Sequence, residues 1–284
     1  MEDFSLQKIL NHLSKVRVIT KLKDGGQKSV FVAYHSDFSN IVLKVVVPSN
    51  SDEKKRALRE INITSGLTSN LFARLYDFGE FEDNGITTIY IIEELLNGDS
   101  LRDVIKSYAP NIIPISLTKR VMDSLMEALS ITEPVKLVHR DIKPENVVVC
   151  PERIVLIDFG IARRLDMASI TDSFALFGPM TPGYAPPEQI KNQKRKISIR
   201  TDLFSLSVMF YELLSGSNPF HINADSPNQA ITNTLNFQPA SLTTLGYHPS
   251  FDTFIFNCLQ KSCHRRPANM TQAMLIYNQL KWEV

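Results

Sequence analysis

Thr87-Thr88-Ile89-Tyr90-Ile91-Ile92-Glu93-Glu94-Leu95-Leu96-Asn97-Gly98-Asp99-Ser100-Leu101 is the stretch in which the chain changes character. Its first residues are all β-branched or aromatic and suit a pleated, half-buried surface. On the amino-terminal side, residues 17–22, 29–35 and 41–47 read the same way, with turn signals at Gly25-Gly26, at 37–40 and at Asn84-Gly85. One helix interrupts these strands. Ser51-Asp52 offers an N-cap after Pro48, and residues 54–67 carry Leu58, Ile61 and Ile63 at helical spacing. Phe4, Leu6, Ile9, Leu10, Leu13 and Val16 predict an amphipathic helix that packs on the strands. Beyond residue 97 the pattern is helical, over 100–108, 117–132, 200–215, 251–259 and 270–282, broken by a small hairpin from 147–150 and 154–157. Strands first and helices afterwards predict an α+β protein of two lobes. The expected division of this single domain, 1–284, is an amino-terminal helix (1–17), a β-rich lobe (18–95) and a helical lobe (96–284). Ligands favour clefts between such lobes.

Composition narrows the function. The 284 residues include 31 Lys+Arg against 30 Asp+Glu, a net charge of +1, with 43% hydrophobic and 21% charged residues. Such a chain has enough apolar material to fold and no basic footprint for nucleic acid or an anionic membrane. Three cysteines, Cys150, Cys258 and Cys263, make no disulfide framework. Met1-Glu2-Asp3 is acidic where a secretory leader is basic, and the most apolar stretch, 203–214, is too short to span a bilayer. The expectation is a cytoplasmic protein with neither membrane nor nucleic-acid partner.

The helical half carries the string His139-Arg140-Asp141-Ile142-Lys143-Pro144-Glu145-Asn146, then Asp158-Phe159-Gly160, then Pro186-Pro187-Glu188. In order and spacing this set resembles the protein kinase family in its serine/threonine branch, from about Val18 to the carboxyl terminus. The resemblance implies a two-lobed protein-kinase-like fold, ATP and Mg²⁺ as cofactors, and protein hydroxyls as acceptors. Phosphoryl transfer needs positioning and charge stabilisation more than covalent chemistry. Asp141 is accordingly expected to orient the acceptor hydroxyl, and Lys143 to reach the γ-phosphate. Asn146 and Asp158 would be the oxygen ligands of Mg²⁺. The plainer reading makes these side chains turn caps. His139 is expected to pack near Phe159 rather than to act as a base. Cys258, Cys263 and His264 lack the spacing of a zinc finger.

On the nucleotide side, Lys44 in Ile41-Val42-Leu43-Lys44 resembles the strand lysine that holds the α/β-phosphates, with Glu60 as its helix partner. Aligning Val30 with the closing valine of the glycine-rich loop puts Lys23, Gly25 and Lys28 at its glycine positions, so only Gly25 survives. Lys28 either adds charge there or points to solvent. Glu94 and Leu95 should lie beside the adenine. The alignment of Gly98-Asp99-Ser100-Leu101 places Glu93 at the gatekeeper position, usually apolar or threonine, and a shift of one residue would remove that oddity.

The same resemblance gives Thr181 a place close to Asp141, pairs Glu188 with Arg266, and makes Asp202 an anchor of the catalytic loop. Ser207 stands where the family has glycine. Residues 191–200 carry five positive charges, read as a solvated face ahead of a docking site. Arg140 implies autophosphorylation between Asp158 and Glu188, with Thr171 first, then Ser169 and Ser173, near Arg163 and Arg164. The expected activity is a serine/threonine protein kinase. The alternatives are a pseudokinase, suggested by the depleted glycine loop, and a small-molecule phosphotransferase.

Overall fold

The computed structural model describes residues 10–25, 28–48, 50–83, 85–159 and 180–283. The chain divides into two compact units, one ending at Asn97 and the other beginning at Gly98.

Unit 1 is an antiparallel sheet in the order β1-β2-β3-β5-β4, formed by β1 (Val16–Gly25), β2 (Lys28–His35), β3 (Ser39–Val46), β4 (Leu75–Asp83) and β5 (Ile86–Glu94). Period-2 alternation divides the side chains of β3 and β5 between the two faces. Ile41, Leu43, Val45 and Ile92 join Phe31 and Ala33 in one buried cluster. Val46, Ile89 and Ile91 join Ala57 and Ile61 in another. Those last two lie on helix α1 (Ser51–Ser65), which therefore packs on the second face. Burying one such Ile contributes about 1.5–3 kcal/mol.

The cap of α1 is Asn50, one residue before the expected Ser51-Asp52; its Oδ1 accepts from the Glu53 N–H at 3.0 Å. Leu10 and Leu13 pack against the first cluster, but β1 already begins at Val16, so no helix runs to residue 17. Phe4, Leu6 and Ile9 lie outside the described residues. Sequence reasoning also missed β4. Its Asp, Glu and Gly residues conceal an edge strand whose Phe78 and Phe81 pack against the clusters.

Unit 2 is mostly helical. It contains α2 (Leu101–Tyr108), α3 (Ile115–Thr132), α4 (Pro187–Ile190), α5 (Ile199–Ser215), α6 (Pro227–Asn236), α7 (Pro249–Cys258) and α8 (Met270–Tyr277). Helix α5 is buried along almost its whole length, as its apolar composition on all sides requires. Phe210 of α5 packs with Phe251 and Phe254 of α7 and with Trp282. Helix α8 stops at Tyr277, short of the expected 282, and α6 was not expected at all.

The expected hairpin is present as β7 (Val147–Val149) and β8 (Ile154–Leu156), and a third strand, β6 (Asp99–Ser100), pairs with β7. Gly98 makes that pairing possible, because a Cβ there would lie 2.5 Å from the Val149 carbonyl oxygen. The hairpin positions two of the expected site residues: Asn146 immediately precedes β7, and Asp158 follows β8 by two residues. The α+β architecture of a β-rich unit followed by a helical one is as expected.

Candidate active site

In unit 2 the site grows from the loop between Leu137 and the hairpin. Asp202, in the first turn of α5, accepts the backbone N–H groups of His139 and Arg140, each at 2.8 Å. These charge-assisted bonds hold a strained backbone at Arg140, which has φ +69°; Asp158 is also left-handed, with φ +63°. Such non-glycine conformations cost about 1–3 kcal/mol each and persist only where the surroundings enforce them. His139 is buried, and burial lowers its pKa below the ordinary value. Its Nδ1 accepts from the Asp141 N–H at 3.3 Å, so the other ring nitrogen, Nε2, carries the proton toward the Ile157 carbonyl at 3.0 Å. With both nitrogens occupied by backbone and the Phe159 ring packed against it in a tilted arrangement, centroids 4.9 Å apart, His139 braces the loop.

Asp141 is the centre of the cluster. The Thr181 hydroxyl donates to its Oδ1 at 2.6 Å. Lys143 Nζ lies 2.9 Å from its Oδ2 and donates to Thr181 Oγ1 at 3.1 Å. Asn146 Nδ2 donates to both the backbone oxygen and Oδ2 of Asp141, at 2.8 and 3.0 Å. A carboxylate held in this way is fixed in orientation. Chemically, the cluster presents an acceptor for an alcohol proton and a cation beside it. Because the Asn146 amide nitrogen is turned to Asp141, the amide oxygen is the atom left to ligate a cation. Asp158 stands on its left-handed backbone beside Phe159; Gly160 and residues 161–179, with Ser169, Thr171 and Ser173, lie outside the described residues.

The segment from Thr181 to Glu188 is tied down separately. Arg266 donates to Glu188 through two bonds of 2.7 and 2.9 Å, and Thr201 donates to Glu188 Oε1 at 3.0 Å. Gly183 has φ +81°, and a Cβ there would lie 2.3 Å from His221 Nε2. A network that sequence reasoning missed lies nearby. Arg102 donates to Glu145 Oε1 at 2.8 Å, to Glu212 Oε1 at 2.6 Å and to the Tyr184 hydroxyl. Tyr184 in turn donates to Glu212. Burial opposes the Arg102 charge, but its bonds to Glu212 and Glu145 outweigh that and raise its pKa. The partners are 43 and 110 residues away in sequence, so no motif spacing points to them.

In unit 1 the register sorts Glu93 and Glu94 onto opposite faces of the sheet. Lys44 stands opposite Ile91, Val42 opposite Glu93 and Ile41 opposite Glu94. Glu93 therefore shares the Lys44 face, and Glu94 belongs to the other. Lys44 Nζ lies 2.5 Å from Glu93 Oε2. Glu60, the expected partner, is half-buried on α1. The Glu94 N–H donates to the Arg74 carbonyl at 2.8 Å, and its carboxylate accepts from the Arg74 N–H. Leu95 is half-buried. Val30 pairs with Lys44 across β2 and β3, and Gly25 pairs with Lys28 at the end of β1.

The profile of the protein kinase domain family matches residues 16–277. Serine/threonine-protein kinase PknB of Mycobacterium leprae is 31% identical over 209 residues, 72% of this chain and 32% of that protein. Serine/threonine-protein kinase PknA of Corynebacterium glutamicum is 30% identical over 250 residues, 85% of this chain and 49% of that protein. The chain thus spans about a third to a half of the length of these relatives. In fold it is similar to the crystal structure of the Mycobacterium tuberculosis PknI kinase domain, with a TM-score of 0.69 and 22% identity over 94% of this chain and 96% of that one.

Proposed function

The chain belongs to the protein kinase domain family, and on that premise we propose that it is a serine/threonine protein kinase that moves the γ-phosphoryl group of ATP to hydroxyls of protein substrates. One observation carries the reading: Asp141 accepts an alcohol O–H at 2.6 Å, from Thr181, while Lys143 lies against both groups. A substrate hydroxyl in that place would be oriented for attack, and its proton would pass to the Asp141 carboxylate. The new bond joins the hydroxyl oxygen to the γ-phosphorus, and the bond from phosphorus to the β–γ bridging oxygen breaks as ADP leaves. Lys143 would stabilise charge on the transferred group.

Asn146 and Asp158 fit as protein ligands of Mg²⁺, because the ion prefers hard oxygens and keeps much of its water. When bound, it would supply positive charge that neutralises the phosphates. Lys44 would take the α/β-phosphates, with Val30 and Gly25 over the nucleotide and Glu94 and Leu95 beside the adenine. Within this reading the protein works in the cytoplasm and autophosphorylates at Thr171, Ser169 or Ser173, where a phosphate's charge of about −1.5 to −2 could be gripped by Arg140.

Incubation with radiolabelled ATP, Mg²⁺ and a generic acceptor protein tests the reading. Label should enter protein, and Asp141→Asn should lower the rate about 10²–10⁴-fold while ATP still binds. Equal turnover in that variant would remove Asp141 from its role. Nucleotide binding without any transfer by the parent chain would make it a pseudokinase, the reading that Lys23 and Lys28 at glycine positions favour.

A further inference from the structure

We propose that Glu93 is a positioning residue for Lys44, an anchor that holds the phosphate-binding lysine from within its own sheet. The inference rests on the kinase reading and adds a residue to it.

The argument begins with register. Strands β3 and β5 are antiparallel, with Val42 opposite Glu93 and Lys44 opposite Ile91. Glu93 is thus the diagonal neighbour of Lys44 on the same face, at a separation that two long side chains span. They do so here, Nζ to Oε2 at 2.5 Å, with side-chain exposures of only 10% for Lys44 and 19% for Glu93. Water screens such a pair weakly, so each charge depends on the other more than it would at the surface.

The backbone under the pair is held on both sides. β3 is hydrogen-bonded to β2 and β5, and β5 to β3 and β4. The pair also stands on the face where Val46, Ile89 and Ile91 pack with Ala57 and Ile61 of α1. A lysine has a flexible four-carbon stem, and fixing it at the moment of binding would cost entropy. Glu93 fixes it beforehand. An ammonium has three donors, and the Glu93 carboxylate engages the group from one side. A like-charged carboxylate near a polyphosphate also repels it, and the proposal commits to the anchoring effect as the larger.

Affinity for Mg·ATP, read with a fluorescent ATP analogue, and steady-state kcat and KM for ATP decide it on the purified chain. Glu93→Leu should weaken Mg·ATP binding at least tenfold, with the loss falling on KM more than on kcat. Glu93→Gln keeps an oxygen acceptor and should recover part of the affinity. In a Lys44→Met background, Glu93→Leu should have no further effect on Kd. Unchanged or tighter binding by Glu93→Leu overturns the proposal, as does an additive effect in the Lys44→Met background. If the leucine variant does not fold, as judged by circular dichroism, the isosteric glutamine carries the test by the same criteria. A Lys44→Met chain that binds and transfers like the parent would instead remove the role given to Lys44. A dead Lys44→Met beside unaffected Glu93 variants would remove only the anchor.

Discussion

Glu188 and Arg266 meet through two parallel hydrogen bonds, at side-chain exposures of 2% and 0%, whereas Lys44 and Glu93 meet through one short contact at the rim of a buried face. The contrast extends to their neighbours. Arg266 also donates to the carbonyls of Gln260 and Arg200, and its guanidinium stacks over Phe204 at 4.7 Å. Glu188 further accepts from Thr201. The planar fork of the arginine is matched on several sides, so the pair joins α4, α5 and the segment before α8 as fixed structure. The Lys44 ammonium meets Glu93 as a compact point charge on a flexible stem, without the fixed fork of a guanidinium. A flexible ammonium can turn toward a second acceptor more readily than a fork matched on several sides, which is what the proposed phosphate contact needs.

The sharpest way to break this contrast is to remove one cation from each pair. Arg266→Ala strands the buried Glu188 carboxylate and should cost about 3–5 kcal/mol of stability, read by urea unfolding. Lys44→Met leaves Glu93 nearer solvent and keeps an apolar stem on the strand, so its stability loss should be about 1–3 kcal/mol. Its activity, however, should fall by about 10²-fold or more, the scale for removing one preorganised electrostatic contact, read by radiolabel transfer. If Lys44→Met destabilised as much as Arg266→Ala, both pairs would be structural and the contrast would fail.

The two pairs also differ in how far sequence could reveal them. Glu188 and Arg266 are reached through a motif, because Pro186-Pro187-Glu188 and Arg265-Arg266-Pro267 fix their places along the chain. Lys44 was legible for a similar reason, standing in an apolar run. Its contact with Glu93 was not, since strand register decides which of Glu93 and Glu94 shares the lysine's face, and a slip of one residue exchanges them. The strands around Phe31, Leu43 and Ile91 announced themselves through β-branched and aromatic alternation. β4 did not, because as an edge strand it tolerates Asp77, Glu80 and Glu82 on its exposed positions. The Asp141 cluster was legible as residue types at fixed spacing, but the Arg102 network was not. Its members come from α2, the loop before β7, the segment before α4, and α5, and only tertiary packing assembles them.

Lys261 offers a smaller test of the same environment. Its Nζ sits 4.3 Å from the Phe220 ring centre and donates to the Thr234 carbonyl at 2.7 Å. Burial, and secondarily the Arg266 charge, push its pKa down from 10.5 to about 8. The folded state therefore releases this proton near pH 8, while the unfolded chain keeps it to about 10.4. Between those values the unfolded state binds more protons, so the lysine's contribution to stability rises with pH. Below pH 8 both states are protonated and the desolvation cost is present in full. Cys258 works in the opposite direction: burial pushes its thiol from 9.0 up to about 12, so the folded state retains a proton that the unfolded chain loses above 9. Stability of the parent alone would mix the two effects. The difference between parent and Lys261→Met isolates the lysine, and it should shift in the parent's favour between pH 8 and pH 10 in urea titrations. A difference that stays constant over this range would mean that Phe220 and Thr234 compensate the burial fully. In that case the surroundings of Arg266 would be neutral to a neighbouring charge, as a fully matched ion pair requires.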